Sequence, residues 1–348
     1  MSLSFAQSHV LVVGGAGFVG SNLVKLLLAD HTDIQVTVVD NLLSAERENL
    51  PDDDRLTFLH GSITDDAILA RLEDTIDYVF HLATFHGNQS SIHDPLKDHE
   101  NNTLTTLKLM HHLRDHKRLK KLVYSSAGCS VAEKTFGEAK ATTEDDPITL
   151  DQDSPYSISK IVGEFYAVYF HKQNNLPTVR ARFQNVFGPG EVLGAGEWRG
   201  TPATIWRNVT PTFIYKSMHG ETLTVFGDAT RDFIFVEDIC RGLMACALKG
   251  TPGDVYNLAS GKEVPIKELA QTINRLTGNE AEINLQPKRP WDTSGKRFGS
   301  NEKARRELGF APSMDFEEGL RRTIAWFKEN EAWIQQNMDK HVGHLTPA

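Results

Sequence analysis

Val10-Leu11-Val12-Val13-Gly14-Gly15-Ala16-Gly17-Phe18-Val19-Gly20 runs a short β-branched segment straight into a turn with glycines at 14, 17 and 20. The residues that follow, Val19, Leu23, Leu26 and Leu27, repeat at helical spacing. Strand, glycine turn and helix in immediate succession predict the opening unit of a parallel sheet. The pattern recurs, with strand-like runs at residues 35–39, 56–60, 78–82 and 122–124 and helical segments at 65–72 and 101–116. Short apolar strands separated by amphipathic helices predict an α/β fold, a doubly wound parallel sheet covered on both faces.

The glycines have separate uses. They permit a tight turn, close approach of a pyrophosphate to the backbone, and tight packing of helix on strand, with the helix N-terminus facing the phosphates. Asp40 closes the second strand, twenty residues after Gly20. A carboxylate there accepts hydrogen bonds from the adenosine ribose hydroxyls and repels a 2′-phosphate, which predicts NAD rather than NADP.

Composition bounds the rest. The 348 residues allow about two domains of roughly 150 residues each. A net charge of −9 offers no broad positive field for nucleic acid or an anionic membrane surface. Any bound phosphate must be held by a few placed residues. Three cysteines, Cys129, Cys240 and Cys246, exclude a disulfide framework and a four-thiolate zinc site. With no basic, apolar leader at residues 1–7 and no run of about 18 apolar residues, a soluble cytoplasmic protein is expected. The histidines, His111-His112 included, lack metal-ligand spacing, so no metal is expected. Beyond residue 185 glycines and prolines crowd a long loop region (Gly188, Pro189, Gly190, Gly194, Gly196, Gly200, Pro202). This predicts an NAD-binding domain over 1–185, a smaller C-terminal substrate lobe over 186–330, and a tail over 331–348. The strand-like run 255–259 either returns to the main sheet or stays in the lobe, so part of 233–260 could belong to the first domain.

Ser154-Pro155-Tyr156-Ser157-Ile158-Ser159-Lys160 reads as a helix start, with Ser154 as N-cap and Pro155 in the first turn. Tyr156 and Lys160 then share one face at i and i+4. An ammonium and a positive nicotinamide ring stabilise phenolate, bringing the phenol down from about 10 towards working pH. Tyr156 becomes a general base for an alcohol proton. A tyrosine and a lysine four apart are common on surface helices. Their place downstream of the glycine turn and of a strand ending Tyr124-Ser125-Ser126 is what singles them out.

Together these residues resemble the extended short-chain dehydrogenases/reductases, the NAD-dependent nucleotide-sugar epimerases and dehydratases. The resemblance spans about residues 9–329. It rests on Gly14/Gly17/Gly20, Asp40, Asn102, Tyr124-Ser125-Ser126, Tyr156/Lys160, Arg182-Phe183-Gln184-Asn185, Gly188-Pro189, and Gly227-Asp228 through Arg231-Asp232-Phe233. Its nearest look is to enzymes of bacterial O-antigen and surface-polysaccharide synthesis. The resemblance implies a Rossmann-type domain in which Phe18, Val19, Asn41, Ser62, Ile63, Leu82, Ala83, Thr84, His86 and Asn102 join the residues above around NAD. It implies a nucleoside-diphosphate sugar held by Asn185, Arg199, Arg231 and Arg289, and a homodimer built on the helices at 101–116 and 156–174. It also implies a reaction in which Tyr156 removes the C4-OH proton, hydride leaves to NAD, and hydride returns to the altered 4-keto sugar. That is an epimerase. A dehydratase sharing the 4-keto intermediate and a non-catalytic NAD-binding regulator are the rival readings.

The departures from the family narrow the choice. Ala127 stands at the usual catalytic Ser or Thr, and Ser126, one residue earlier, is the candidate substitute. Family 4,6-dehydratases continue with Asp-Glu, whereas this chain has Gly128-Cys129. Glycine has no proton to give, so ordinary 4,6-dehydration is disfavoured. A cysteine at the second position resembles GDP-mannose 3,5-epimerase and makes Cys129 a candidate acid/base near C5. The competing reading is a small buried hydrophobe. That family's lysine corresponds to Arg199, which stays protonated and shuttles protons poorly. Cys240 and Cys246, on a predicted helix over 237–248, read as core.

Overall fold

The computed structural model describes residues 4–128, 138–289 and 295–345. The quoted stretch forms β1 (His9–Val13), the turn, and α1 (Phe18–Asp30). The strands that follow are β2 (Gln35–Asp40), β3 (Leu56–His60), β4 (Tyr78–His81), β5 (Lys121–Ala127), β6 (Thr178–Phe183) and β7 (Val255–Leu258). They make one parallel sheet in the order β7-β6-β5-β4-β1-β2-β3. Val13 faces Val39 on one side and His81 on the other. The chain winds outwards from β1 in both directions, so the crevice beyond its carboxyl end is where this architecture binds ligands.

Alternation along β1 explains why both faces must be covered. Val10 and Val12 join Leu23, Val24 and Leu27 of α1 in one core, while Leu11 and Val13 join the opposite core. The second core is roofed by α2 (Thr105–Leu113) and α3 (Pro155–Asn174) through Leu109, Met110, Leu113, Ala167 and Phe170. The helix expected over 101–116 opens as a π-helical segment, His99–Leu104, before α2 begins. The one expected over 65–72 is a single short turn, Asp66–Leu69.

A second lobe holds α4 (Val209–Met218) and α6 (Ile266–Thr277), while α5 (Val236–Lys249), between them in sequence, packs back on α1 and the main sheet. Next come α7 (Glu302–Leu308), α8 (Phe316–Glu329) and α9 (Glu331–Asp339). Phe187, Ile205, Phe213, Phe233, Leu269, Leu320 and Phe327 form its core. The run at 255–259 returns to the main sheet, because β7 extends β6 with Val255 opposite Arg180 and Leu258 opposite Phe183. Cys240 and Cys246 of α5 are buried in the first core, and burial pushes both thiols up, which suits inert packing. Ala304 and Leu308 of α7 enter that core too.

The residues after 330 correct the expected tail. Ile334 and Met338, one turn apart on α9, are buried in the lobe's core. His341 Nε2 contacts the Gly194 carbonyl at 2.8 Å, and His344 stacks on Trp198 at 4.9 Å. No helix among the described residues is long and apolar enough to cross a membrane.

Candidate active site

A cavity of about 750 Å³ lies between the carboxyl ends of the sheet strands and the second lobe. At its floor Gly14 adopts φ +82°, and a Cβ there would come within 2.6 Å of the Ala83 Cα. A Cβ on Gly20 would lie 2.2 Å from the Gly14 carbonyl oxygen. The turn is therefore as tight as the backbone allows, and its face is left open for a bulky anion at the head of α1. Gly20→Ala is expected to lower Tm and to weaken NAD binding at least tenfold, since overpacking of this kind costs about 1–3 kcal/mol. Calorimetric titration with NAD, beside a thermal melt, reads both.

Asp40 is buried at the rim of this floor. Its Oδ2 accepts from the Ala16 amide and its Oδ1 from the Leu42 amide, each at 2.9 Å. Burial raises its carboxyl, against the pull of those backbone donors. Each oxygen keeps a lone pair for a ribose hydroxyl. Phe18, Val19, Asn41, Ser62, Ile63, Leu82, Ala83, Thr84 and His86 line the same cavity. Asn102 corrects the expectation: it is buried and is not in the lining. Its Oδ1 accepts from the Phe85 amide at 2.7 Å and from Thr84 Oγ1 at 3.0 Å, and its Nδ2 donates to Asp98. It fixes the loop that reaches the cavity, and Asn101 lines the wall instead.

The helix start at Ser154 forms as the sequence predicts. Ser154 Oγ accepts from the Ser157 amide with Pro155 in the first turn. The α3 helix then presents Tyr156 and Lys160 to the cavity, both nearly buried. Lys160 Nζ donates to the Ser125 carbonyl at 3.0 Å and lies 5.8 Å from the Tyr156 ring centre. The β5 end offers the pair no hydroxyl. Ser125 Oγ donates to the His81 carbonyl at 2.9 Å, and Ala127 has none. Ser126 lines the cavity, but its Oγ donates to Glu164 Oε1 at 2.6 Å, so the expected substitute is engaged elsewhere. Cys129 lies outside the described residues.

Asn185, Arg231 and Arg289 line the cavity on the lobe side. Arg231 Nη1 donates to the carbonyls of Thr230 and Gly295, and the Arg289 guanidinium sits 3.9 Å over the Phe226 ring. Arg199 corrects another expectation. It is buried behind the lining, 4.8 Å over the Phe85 ring, where its Nη1 donates to the His86 carbonyl and its Nε and Nη2 have no hydrogen-bond partner among the described residues.

The lining also contains Glu191, Arg207 and Asn208, which no motif announces. They come from the glycine-rich loop after Pro189 and from the head of α4. Only the loop's length hinted at them. Arg207 is anchored by the carbonyls of Ser44, Ala195 and Thr204. Asn208 Nδ2 donates to Glu191 Oε1 at 2.6 Å, and its Oδ1 lies 3.0 Å from His86 Nε2. The His86 ring stands edge-on to Tyr156, with centres 5.6 Å apart. Burial, aided by Arg199, Arg207 and Lys160, lowers the imidazole to about 4 despite the Asn208 contact, so it is neutral at pH 7. Burial raises the Glu191 carboxyl to about 7, against Asn208 and Arg207. Its Oε2 is buried without a hydrogen-bond partner among the described residues.

A glycine cradle at a helix head, an acidic residue closing β2 and a Tyr-Lys pair on one helix define an NAD-dependent enzyme of the short-chain dehydrogenase/reductase class. Residues 10–259 match the NAD dependent epimerase/dehydratase family, and the chain belongs to it. Its members include nucleotide-sugar epimerases and dehydratases, and the chain is an enzyme of that kind with NAD as cofactor. Among solved structures it is similar to the Bordetella bronchiseptica enzyme WbmF in complex with NAD+ and UDP. The identity is 63%, 98% of each chain is covered, and the TM-score is 0.87. Among curated proteins it is 31% identical to UDP-glucose 4-epimerase of Mycolicibacterium smegmatis, covering 92% of this chain and 98% of the relative. It is 27% identical to dTDP-glucose 4,6-dehydratase of Streptomyces antibioticus, covering 97% and 98%.

Proposed function

We propose that the chain is an NAD-dependent epimerase of a nucleoside-diphosphate sugar, acting through a transient 4-keto sugar in cytoplasmic synthesis of a bacterial O-antigen or related surface polysaccharide. The observation that carries this reading is Tyr156 beside Lys160 in the wall of the cavity, with glycine at position 128 where a dehydratase needs an acid. Bound NAD supplies an acceptor and donor of hydride at the sugar's C4. Tyr156 takes the C4-OH proton, and Lys160 stabilises the resulting negative charge. Asn185, Arg231 and Arg289 hold the diphosphate, which a net acidic chain must bind with a few placed cations. The likeness to WbmF, whose structure holds UDP, supports uridine as the base. Ile158, Phe165 and Tyr169, exposed at i, i+7 and i+11 on α3, support a homodimer through that helix.

The test is incubation with UDP-glucose, UDP-N-acetylglucosamine and UDP-glucuronic acid in deuterated water. The expected product is an epimer with no net change in NAD. Inversion at C4 by rotation of the ketone incorporates no deuterium, whereas exchange at C3 or C5 does. Dehydration is favoured by one observation, the carboxyl of Glu191 in the cavity wall, and loss of water from the product would establish it. A chain that converts none of these sugars and never reduces its NAD would be a regulator.

A further inference from the structure

The Tyr156-Lys160 pair normally works with a third group, a hydroxyl that hydrogen-bonds the reacting sugar oxygen. Among the described residues at the β5 end that group is missing, because Ala127 has no hydroxyl and those of Ser125 and Ser126 are committed to the His81 carbonyl and to Glu164. Beside Tyr156 stands the ring of His86, 5.6 Å between centres, in the same cavity lining. Its Nε2 is taken by Asn208, 3.0 Å away, and Asn208 is held in turn by Glu191. Its Nδ1 has no hydrogen-bond partner among the described residues.

We propose that His86 takes over the role of the hydroxyl that Ala127 lacks, giving a hydrogen bond from Nδ1 to the sugar oxygen that Tyr156 deprotonates, with Asn208 and Glu191 as its positioning residues. This rests on the epimerase reading above. The direction of the bonds follows from the donor inventory. A buried carboxyl with one oxygen unpartnered favours its neutral form, and protonated Glu191 donates to Asn208 Oδ1 once that amide makes a half-turn. Asn208 Nδ2 then donates to His86 Nε2, which leaves the ring proton on Nδ1. Both contacts survive the half-turn with their direction reversed. No proton leaves His86 in this role: the neutral imidazole polarises the C4 oxygen while negative charge develops on it, and Tyr156 alone carries the proton. Burial first, and then the nearby cations Arg199, Arg207 and Lys160, keep it from ionising and competing with Tyr156.

The experiment reads single-turnover reduction of bound NAD and steady-state kcat, with whichever of the three UDP-sugars the wild type converts. His86→Ala is expected to lower kcat about 10²-fold or more, with KM little changed, as for loss of one donor to a developing oxyanion. Restoring the hydroxyl in H86A/A127S should recover at least tenfold. E191A should lower kcat, and E191Q, which keeps a neutral donor, should recover most of that loss. Wild-type kcat in H86A, or no gain from A127S in that background, overturns the proposal while leaving the epimerase reading intact. A wild type that never reduces its NAD on any of the three sugars overturns both.

Discussion

Tyr156→Phe is expected to leave NAD bound and to lower kcat by a factor of about 10²–10⁴. The residue is held by contacts at its backbone and ring face. The Tyr156 amide donates to Ser91 Oγ at 3.1 Å, the His86 ring lies edge-on to it, and only 9% of the residue is exposed. Phenylalanine therefore fits, and what is lost is the oxygen that receives the proton. Lys160 stays anchored on the Ser125 carbonyl, so cofactor affinity has no reason to fall. The distinguishing measurement is kcat beside the Kd for NAD. A phenylalanine variant that turns over at the wild-type rate would remove Tyr156 from the chemistry and with it the reading of the cavity as an active site.

Arg182→Met is expected to destabilise the fold by about 3–5 kcal/mol, because it strands a buried carboxylate. Glu164, on α3, is 1% exposed, and Arg182, on β6, grips both of its oxygens, from Nε at 2.8 Å and Nη2 at 2.9 Å. Ser126 and Arg180 complete the set. Burial alone would raise the Glu164 carboxyl, but Arg182, Ser126 and Arg180 together outweigh it and hold the group below its ordinary range. The sign follows from linkage. With its folded value depressed, Glu164 stabilises the wild type above the ordinary carboxylate range, and that contribution is lost as pH falls through the folded value. Without Arg182, burial dominates and the carboxyl takes up a proton more readily when folded. The gap between R182M and wild type should therefore narrow as pH drops from neutral towards 4. Urea midpoints across that range test it, and a gap that widened would refute the account. The double variant E164Q/R182M should recover much of the loss, since no charge is then left buried alone.

The same ion pair shows where sequence reading stops. Arg182-Phe183-Gln184-Asn185 was legible as a motif, and Asn185 does line the cavity. Nothing in its spacing says that Arg182 is turned inwards to Glu164, eighteen residues back in the chain, or that this carboxylate then claims Ser126. Asn102 misled for a related reason. A motif position marks proximity to the cofactor loop, but its amide atoms are spent on Thr84, Phe85 and Asp98. Arg199 carried a charge that suits a diphosphate, and the fold buries it over Phe85 behind the lining.

The sequence by itself determined the β-turn-α opening, the acidic close of β2, and Tyr156 with Lys160 on one helix face. Each depends on residues within one turn or one βαβ unit, where spacing alone fixes geometry. Only the tertiary structure decided that β7 returns to the edge of the main sheet, that α9 packs into the lobe, and that His86 meets Asn208 and Glu191 beside Tyr156. His86 and Asn208 lie 122 residues apart and belong to different lobes. Their meeting is set by how the two cores pack across the cavity, which no local spacing encodes.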